Sequence, residues 1–570
     1  MTGEANGTVL ADMAPGSVRR IHLVGVGGTG MGAFAGMLKA AGYTVTGSDE
    51  NVYPPMSDML HEWGIEVFTP YRAENLDRAR PELVIIGNVI RRVNPEATAV
   101  RERGIPQMSF PAAFGALVAA GRHSIVVAGT HGKTTTAALM GHVLATAGLD
   151  PTFLVGGVTL NYGGNFRLGQ GSHVVVEGDE YDTAYFDKGP KFLHYRARTA
   201  LLTSLEFDHA DIYADMAHYQ SAFERFCGTL PADGWLGVSA SYPRAVELAR
   251  AHTRARVVTY AAGAAADYRA GAVRFSEAGV DFVIEGPGGE RASVLLPMSG
   301  LHNVENAVGV YAAGRSLGLT SDQVAAGFAS FRGVKRRQEP RGEIGGVLVL
   351  DDFAHHPTAV RETVAGIRQR YAGRRLWAVF EPRSNTSRRN IHQAEYAEAF
   401  NDADVVLIRR PEPHDKVPAD QQLDVDAIVH AIRARGIEAS ALAEVPEMVD
   451  VIARGARPGD VVLVMSNGAF GGLIPSLLSA LKGSFRHMAK PLQTYDTAGI
   501  TVTFDPNVCI HSAACIRGLP AVFDVNRKRW VRPELASPEE VAAQVSRCPS
   551  GALQYRLSPP SSDVNSQGHG

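Results

Sequence analysis

A glycine-rich stretch near residue 130 has the residue types that bind a nucleotide. The apolar run Ile125 to Ala128 leads into GTHGKTTT, and a helical pattern follows. Val127 stands where the usual P-loop has its first glycine, so the loop is shortened. Backbone N–H groups at a helix N-terminus still attract phosphate, Lys133 adds a positive charge, and Thr134 offers a hydroxyl to Mg²⁺. Gly-Lys-Thr directly after a buried strand therefore favours nucleotide binding over a structural glycine turn.

Two groups of acids follow later apolar runs. VVVEGDEYD places Glu177, Asp179, Glu180 and Asp182 after one run, and LEFDHADIY places Glu206, Asp208, His209 and Asp211 after another. In open α/β sheets, ligands bind outside the carboxyl ends of the strands. Carboxylates are ligands that Mg²⁺ accepts. The pattern predicts magnesium ligation near the P-loop, and a pair of solvated acidic loops is the alternative.

A second glycine turn lies near the start of the chain. The apolar run Ile21 to Val26 meets Gly25, Gly27 and Gly30, and Asp49 ends the next predicted strand. This is the order of a dinucleotide fingerprint: a strand, a glycine turn, a helix, a second strand and an acid. Taken alone, this pattern favours a nicotinamide cofactor, and glycines that only make the turn are the alternative.

Polar residues also gather in two later places. His302, Asn303 and Asn306 open a helical pattern, where helix capping is an alternative explanation for the asparagines. Farther on, GVLVLDDFAHHPTAV is a buried strand followed by Asp352, His355 and His356. The histidine pair could ligate a metal, but it has no cysteine or regularly spaced partner, so a substrate contact is the favoured interpretation.

Three of the four cysteines lie near the end of the chain. Cys509, Ser512 and Cys515 fall on the C-x₂-C-x₂-C spacing of bacterial ferredoxins, and Cys548 is followed by proline. The pattern predicts an iron–sulfur cluster held by the three cysteines. His511 or Ser512 would ligate the fourth iron of a 4Fe-4S cluster, or that iron would be missing, which gives a 3Fe-4S cluster. A zinc site with Cys₃His ligation and a remnant fold with free thiols are the alternatives.

Composition bounds the remaining choices. The chain has 570 residues with 45% hydrophobic and 20% charged residues, enough for about three or four domains. A net charge of −3 does not indicate the excess of basic residues that is typical of nucleic-acid-binding proteins. We expect no membrane span and no secretory signal, because no apolar run is long enough. Because the chain also has few cysteines, we expect it in a reducing cytoplasm.

The motifs together resemble those of the Mur ligases, which join amino acids or peptides to UDP-N-acetylmuramate with ATP. GVGGTGMG, AGTHGKTTT, VEGDEYD, FDHADIY, GLHNVENA and DDFAHHPTAV occur in the order of that family. The resemblance implies an α/β fold of a Rossmann-like UDP-binding domain, a P-loop ATPase central domain and a Rossmann-like C-terminal domain. It also reassigns the first glycine turn from a nicotinamide to a UDP-sugar diphosphate. The end of the chain resembles divergent single-cluster ferredoxin-like domains, which implies a small α+β domain.

The implied domain boundaries are a flexible lead-in over 1–19, a UDP-sugar-binding domain over 20–118, a central ATP-binding domain over 119–338 and a C-terminal ligase domain over 339–482. A linker over 483–497, a ferredoxin-like domain over 498–557 and a disordered tail over 558–570 complete the prediction.

The resemblance also assigns roles to residues. Lys133, Glu177 and His209 are the implied catalytic residues, with Thr134, Glu177 and His209 on Mg²⁺. The implied ATP-binding residues are Gly129, Thr130, His131, Gly132, Lys133, Thr134, Thr135, His302, Asn303, Asn306, Arg336 and Arg337. The implied UDP-sugar residues are Gly25, Gly27, Gly28, Thr29, Gly30, Ser48 and Asp49. Asp352, His355, His356 and Arg383 would line the peptide side, where a structural role is the alternative.

Within the family, two branches compete. GSDENVYPPMS, DEYDTAYFDK, KFLHY, EPRSNT and VMSNGAFGG resemble the recycling branch, which attaches the murein tripeptide L-alanyl-γ-D-glutamyl-meso-diaminopimelate to UDP-N-acetylmuramate through an acyl phosphate. The alternatives are the L-alanine-adding branch of de novo peptidoglycan synthesis and a sensor that binds without turnover. Thr203-Ser204 stands where the recycling branch has Asn-Asn, which puts an amide contact to the nucleotide in doubt. The role of a cluster is left open between redox sensing and electron transfer to a redox partner.

Overall fold

The computed structural model describes residues 18–54, 56–411, 417–488 and 492–558. The chain divides after Leu478 into two compact units. Residues 1–17 of the predicted lead-in and residues 559–570 of the predicted tail lie outside the described residues. In the first unit, three successive segments each build a sheet of their own.

The first segment is a five-stranded parallel sheet in the order β3-β2-β1-β4-β5. Its strands are buried runs such as LVII, which suit a parallel sheet covered on both faces. The strands are β1 (Arg20–Val24), β2 (Thr44–Ser48), β3 (Glu66–Phe68), β4 (Leu83–Ile86) and β5 (Gln107–Ser109). The helices are α1 (Thr29–Ala40), α2 (Met56–Glu62), α3 (Asn75–Ala79), α4 (Pro95–Glu102) and α5 (Phe110–Leu117).

The central segment contains a ten-stranded sheet in the order β17-β16-β15-β14-β13-β12-β6-β9-β7-β8, and β10 pairs with β11. Its strands are β6 (His123–Ala128), β7 (Thr152–Leu154), β8 (Phe166–Arg167), β9 (His173–Glu177), β10 (Asp182–Ala184), β11 (Asp187–Pro190), β12 (Thr199–Leu202), β13 (Trp235–Ser239), β14 (Arg256–Ala261), β15 (Tyr268–Ser276), β16 (Gly279–Glu285) and β17 (Arg291–Leu296). The helices are α6 (Lys133–Thr146), α7 (Met216–Thr229), α8 (Pro243–His252), α9 (Leu301–Ser316) and α10 (Ser321–Ser330).

The third segment is a six-stranded sheet in the order β18-β19-β23-β20-β21-β22, parallel except for the edge strand β18. Its strands are β18 (Glu339–Ile344), β19 (Val347–Asp352), β20 (Leu376–Phe380), β21 (Val405–Arg409), β22 (Glu438–Leu442) and β23 (Val461–Met465). The helices are α11 (Pro357–Arg370), α12 (Gln393–Glu398), α13 (Val425–Ala434), α14 (Val445–Gly455) and α15 (Leu473–Met488).

The second unit is a small antiparallel sheet with two short helices. The elements are β24 (Gln493–Asp496), β25 (Ile500–Phe504), α16 (Ala514–Gly518), α17 (Pro538–Val545) and β26 (Leu553–Leu557), and β25 is the middle strand. Ile500, Val502 and Val522 belong to its buried core, and Cys509, Cys515 and Cys548 pack against that core. The structure differs from the predicted linker over 483–497, because α15 continues to Met488 and β24 pairs with β25.

The central sheet places the predicted chemistry at one edge. β6 lies between β12 and β9, and all three strands run parallel. Parallel strands end at the same edge of a sheet, so the P-loop after β6 and the acids after β9 and β12 converge there.

Candidate active site and candidate cluster site

The P-loop depends on glycine at Gly132, immediately before α6. Its φ of +78° lies in the left-handed region, which costs other residues strain. A Cβ there would lie 2.8 Å from Oδ1 of Asn306, so the missing side chain lets the loop meet α9. Ser204 and Thr203 support the same loop: the Ser204 hydroxyl accepts the His131 N–H at 2.7 Å, and the Thr203 hydroxyl donates to the His131 carbonyl at 2.5 Å. Hydroxyls at these two positions therefore hold the P-loop backbone.

Lys133 is folded back onto its own loop and a buried acid. Its Nζ donates to the carbonyl of Gly129 at 2.6 Å and lies 2.9 Å from Oε2 of Glu180. Burial by itself would lower the lysine's pKa, but Glu180, Asp179 and Glu177 outweigh it and raise the pKa. Lys133 is therefore held as a cation.

Glu180 connects Lys133 to His209. The carboxylate of Glu180 is fully buried, and Nε2 of His209 lies 2.9 Å from its Oε1. Burial would lower the pKa of His209, but this hydrogen bond, with the charges of Glu180 and Asp208, raises it. The resemblance implies that His209 and Glu177 hold Mg²⁺ together, but the carboxylate that His209 contacts in the structure is that of Glu180, which was not among the predicted site residues. Four acids lie within six positions, one at the end of β9 and three after it, and their spacing alone does not show which one faces the lysine.

Thr134 and Glu177 meet at the start of α6. The Thr134 hydroxyl donates to Oε1 of Glu177 at 2.9 Å, and the Gly156 N–H donates to Oε2 at 2.7 Å. Nη2 of Arg337 lies 3.4 Å from the same hydroxyl. A hydroxyl beside a carboxylate is an oxygen donor set that suits Mg²⁺.

A cavity of about 330 Å³ opens beside the P-loop, between the central and third segments. It is lined by His131, Thr135, Thr203, Ser204, His302, Asn303, Asn306, Arg337 and Asp352, among others. Burial, with Arg337 and His131 nearby, lowers the pKa of His302 to about 4, so this imidazole is neutral at pH 7. The Asn303 amide donates to the Ser299 carbonyl at 2.8 Å, so it also supports the start of α9.

A larger cleft of about 1480 Å³ is lined by all three segments. The first segment contributes Thr29 and Trp63, the central segment contributes Lys133, Thr134, Glu177 and His209, and the third contributes His355, Arg383 and Asn467. Arg336 and Arg337 line it as well. Arg336 donates to the carbonyls of Ser466 and Gly468 at 2.5 and 2.7 Å, so its guanidinium holds a loop of the third segment.

The predicted UDP-sugar residues divide into exposed and buried groups. Gly28, Thr29 and Gly30 are exposed at the N-terminus of α1, where phosphate is favoured. Ser48 is fully buried, and its hydroxyl donates to the buried carboxylate of Glu96. Asp49 accepts the Gly27 N–H at 2.7 Å, so this acid supports the glycine turn.

The predicted peptide residues also separate. His355 and Arg383 line the larger cleft, but Asp352 lines the smaller cavity. Asp352 is buried and accepts the backbone N–H groups of Gln338 and Ala354 at 2.8 and 2.7 Å. His356 is buried at the start of α11, where its Nδ1 accepts the Thr358 N–H at 3.3 Å. For Asp352 and His356, these contacts agree with the structural alternative of the sequence analysis.

In the second unit, the three cysteines surround a cavity of about 330 Å³. His511 and Ser512 line it too, along with Phe504, Trp530 and Pro549. His511 and Ala513 have φ of +53° and +57°, so the loop before α16 turns sharply at both. Burial would raise the pKa of Cys548, but hydrogen bonds from the backbone of Leu553 and from Ser550 lower it. Burial and the neighbouring thiols raise the pKa of Cys515.

No helix in the described part of the chain is both long and apolar enough to cross a membrane.

Family models cover most of the chain. The model for the Mur ligase family, catalytic domain, matches residues 20–122, the Mur ligase middle domain matches 127–314, and the Mur ligase, glutamate ligase domain, matches 336–468. The model for a divergent 4Fe-4S mono-cluster matches residues 495–558.

Individual relatives extend over the ligase unit. The UDP-N-acetylmuramate–L-alanyl-γ-D-glutamyl-meso-2,6-diaminoheptandioate ligase of Haemophilus influenzae is 38% identical over 475 residues, which are 82% of this chain and 100% of the relative. The UDP-N-acetylmuramate–L-alanine ligase of Rhizobium etli is 33% identical over 479 residues, 82% of this chain and 99% of the relative. A crystal structure of a murein peptide ligase from Psychrobacter arcticus is 34% identical, with a TM-score of 0.60 over 81% of this chain and 98% of that one. The predicted fold class is thus confirmed, and the chain belongs to the Mur ligase family, with a C-terminal segment that matches a divergent 4Fe-4S domain.

Proposed function

We propose that this chain is an ATP-dependent ligase that joins L-alanyl-γ-D-glutamyl-meso-diaminopimelate to UDP-N-acetylmuramate. The observation that carries the proposal is a cleft lined by all three segments, with Lys133, Thr134 and Glu177 among its lining residues. A ligation that consumes ATP needs one space that three substrates reach together. The relative from Haemophilus influenzae has a name that specifies this reaction. The match covers 100% of that relative and 82% of this chain. We keep the predicted domain boundaries as part of the proposal, apart from the linker, into which α15 and β24 extend.

The nucleotide would lie with its phosphates on the P-loop and its base in the smaller cavity. Lys133 would turn from Glu180 to the phosphates, because phosphate oxygens offer its ammonium group a charge-assisted hydrogen bond. Thr134 and Glu177 would hold Mg²⁺, and His209 would lie beside them on Glu180. The ion supplies charge neutralisation for the transferring phosphoryl group.

The reaction then follows from the positions of the groups. The lactyl carboxylate of UDP-N-acetylmuramate attacks the γ-phosphorus, the bond to the β-phosphate oxygen breaks, and ADP leaves. The unprotonated amine of the tripeptide attacks the carbonyl carbon of the resulting acyl phosphate, and the carbon–oxygen bond to the phosphoryl group breaks. Inorganic phosphate leaves with the electron pair, and the new amide nitrogen loses one proton to solvent. The exposed turn at Gly28 and Thr29 would bind the UDP diphosphate, and His355 with Arg383 would face the incoming peptide. Positioning and cationic charge contribute most of the acceleration in this scheme.

Acceptor choice tests the proposed substrate. We expect phosphate release that needs ATP, UDP-N-acetylmuramate and tripeptide together, at a rate far above that with free L-alanine. Equal rates with both acceptors would favour the L-alanine-adding alternative, for which the relative from Rhizobium etli is the precedent. Binding of UDP-N-acetylmuramate without any turnover would instead favour a sensor.

We propose as well that the second unit holds an iron–sulfur cluster. Three thiols, an imidazole and a hydroxyl line one cavity there, and a cluster needs three or four such ligands. Bound, the cluster would supply one-electron chemistry, which the ligation itself does not need. The fourth ligand, the 4Fe-4S or 3Fe-4S form and a redox partner stay predictions.

The cluster is tested by its iron and colour. Protein purified without oxygen should be brown, and Cys548→Ala should lose iron and acid-labile sulfide. Cys227→Ala is the matched control, because this fourth cysteine is buried in α7 of the ligase unit. A colourless protein with stoichiometric zinc would support the Cys₃His alternative.

A further inference from the structure

Two histidines and a glutamate meet beside the P-loop. His131 belongs to that loop, Glu206 follows β12, and His356 precedes α11 of the third segment. One ligand atom from each residue lies within 4.8 Å of the other two. Nε2 of His131 is 2.7 Å from Oε2 of Glu206, and Nδ1 of His356 is 4.0 Å from the same oxygen.

The imidazole of His356 makes few hydrogen bonds with the described residues. His356 is only 5% exposed, and its Nε2 is buried without a hydrogen-bond partner among the described residues. The rings of His131 and His356 are 4.5 Å apart between centroids and tilted by 46°, so two imidazoles lie side by side at this point. The nitrogen nearer to Glu206 is Nδ1, which accepts the Thr358 N–H at 3.3 Å, so an ion bound there would replace that hydrogen bond and leave the ring proton on Nε2.

The surroundings orient Glu206 and favour the deprotonated forms of Glu206 and His356. The Thr358 hydroxyl donates to Oε1 of Glu206 at 3.2 Å, which leaves Oε2 directed at the imidazoles. Burial would raise the pKa of Glu206, but the hydrogen bond and charge of His131 lower it. Burial and the neighbouring His131 lower the pKa of His356 well below its usual range. A metal ion binds neutral imidazole and ionised carboxylate.

We propose that His131, Glu206 and His356 form a binding site for a divalent transition-metal ion of the zinc class. Two imidazoles and one carboxylate make a three-ligand set that leaves a fourth position open. Mg²⁺ prefers oxygen ligands, so this site is distinct from the one at Thr134 and Glu177.

The distances permit such a site after small side-chain rotations. Zinc–nitrogen bonds of about 2.0–2.1 Å in a tetrahedron place ligand atoms about 3.3 Å apart. The 2.7 Å contact must lengthen slightly, and the longest separation of 4.8 Å must shorten. Because His356 comes from the third segment and the other two ligands from the central one, a bound ion would tie α11 to the phosphate loop.

Cobalt(II) titration of the full-length, metal-stripped and reduced chain tests the site. The thiols of the second unit also bind Co²⁺, but thiolate ligation adds a charge-transfer absorption that imidazole and carboxylate do not produce. With excess Mg²⁺ present to occupy the site at Thr134 and Glu177, we expect two binding events in the wild-type chain, one with this absorption and one without it. Cys548→Ala should weaken only the thiolate event.

Variants then assign the second event. His356→Ala and Glu206→Gln should each weaken the thiolate-free event by more than about 10-fold. His355→Ala is the matched control, because this neighbouring histidine lies 3.8 Å from Asp208 instead. Glu206→Gln is nearly isosteric, so it gives an answer even if His356→Ala does not fold. A wild-type chain without a thiolate-free event, or equal affinities in all three variants, would overturn the proposal.

Discussion

Replacing Lys133 by alanine should loosen the centre of the ligase unit as well as stop turnover. The side chains of Lys133 and Glu180 are 13% and 0% exposed, so the variant leaves a carboxylate in the interior without its main cation. Removing one partner of a buried ion pair costs about 3–5 kcal/mol. His209 stays 2.9 Å from Glu180 and the Tyr219 hydroxyl stays 3.3 Å away, so we expect the lower end, about 3 kcal/mol.

Hydrogen exchange measures this cost locally, which matters because a chain of several domains does not unfold in one step. A loss of about 3 kcal/mol accelerates exchange about 100-fold, since each 1.4 kcal/mol is a factor of ten. We expect that acceleration in peptides covering β6 and β9, with nucleotide absent. Peptides from β20 and β21 of the third segment serve as an internal control and should not change.

A second substitution separates the charge from the fold. Glu180→Gln in the Lys133→Ala background removes the unpaired charge, so exchange should return to within about 10-fold of wild type. Turnover should stay absent, because the phosphates still lack their cation. Unchanged protection in Lys133→Ala, or no recovery in the double variant, would refute the reasoning from the buried pair.

Two further predictions concern other parts of the site. The pKa of His302 is about 4 in the folded chain, below its usual value near 6.5, so the unfolded chain takes up this proton first as pH falls. Stability should therefore fall between pH 6.5 and pH 4, by up to about 3 kcal/mol, and exchange in α9 of His302→Gln should lack that dependence. A Cβ at Gly27 would lie 2.8 Å from Oδ2 of Asp49, whereas one at Gly28 meets its nearest atom at 3.8 Å. Calorimetry should show UDP-N-acetylmuramate binding weakened more than about 10-fold in Gly27→Ala, and an unchanged affinity would contradict the role of the turn.

The sequence by itself determined the α/β class and the positions of the two phosphate-binding turns. Buried parallel strands are continuous apolar runs, and glycine before a helix is a local requirement, so both can be read from neighbouring residues. Gly132 is an example, because its left-handed φ depends on the loop alone. The terminal cysteines were found in the same way, since cluster ligands within one loop have a fixed spacing.

Only the tertiary structure decided which polar side chains face one another. The acid at the end of β9 and the three acids after it cannot be distinguished by the sequence, and only the packed structure shows Glu180 as the partner of Lys133 and His209. Ser48 is the last residue of β2, at the edge of the sheet where ligands bind, yet its hydroxyl is turned inward to Glu96. His131 and Glu206 are 75 positions apart and His356 is farther still, so no local pattern brings them together. Long-range packing sets the direction and desolvation of a side chain, and neither property is encoded by spacing along the chain.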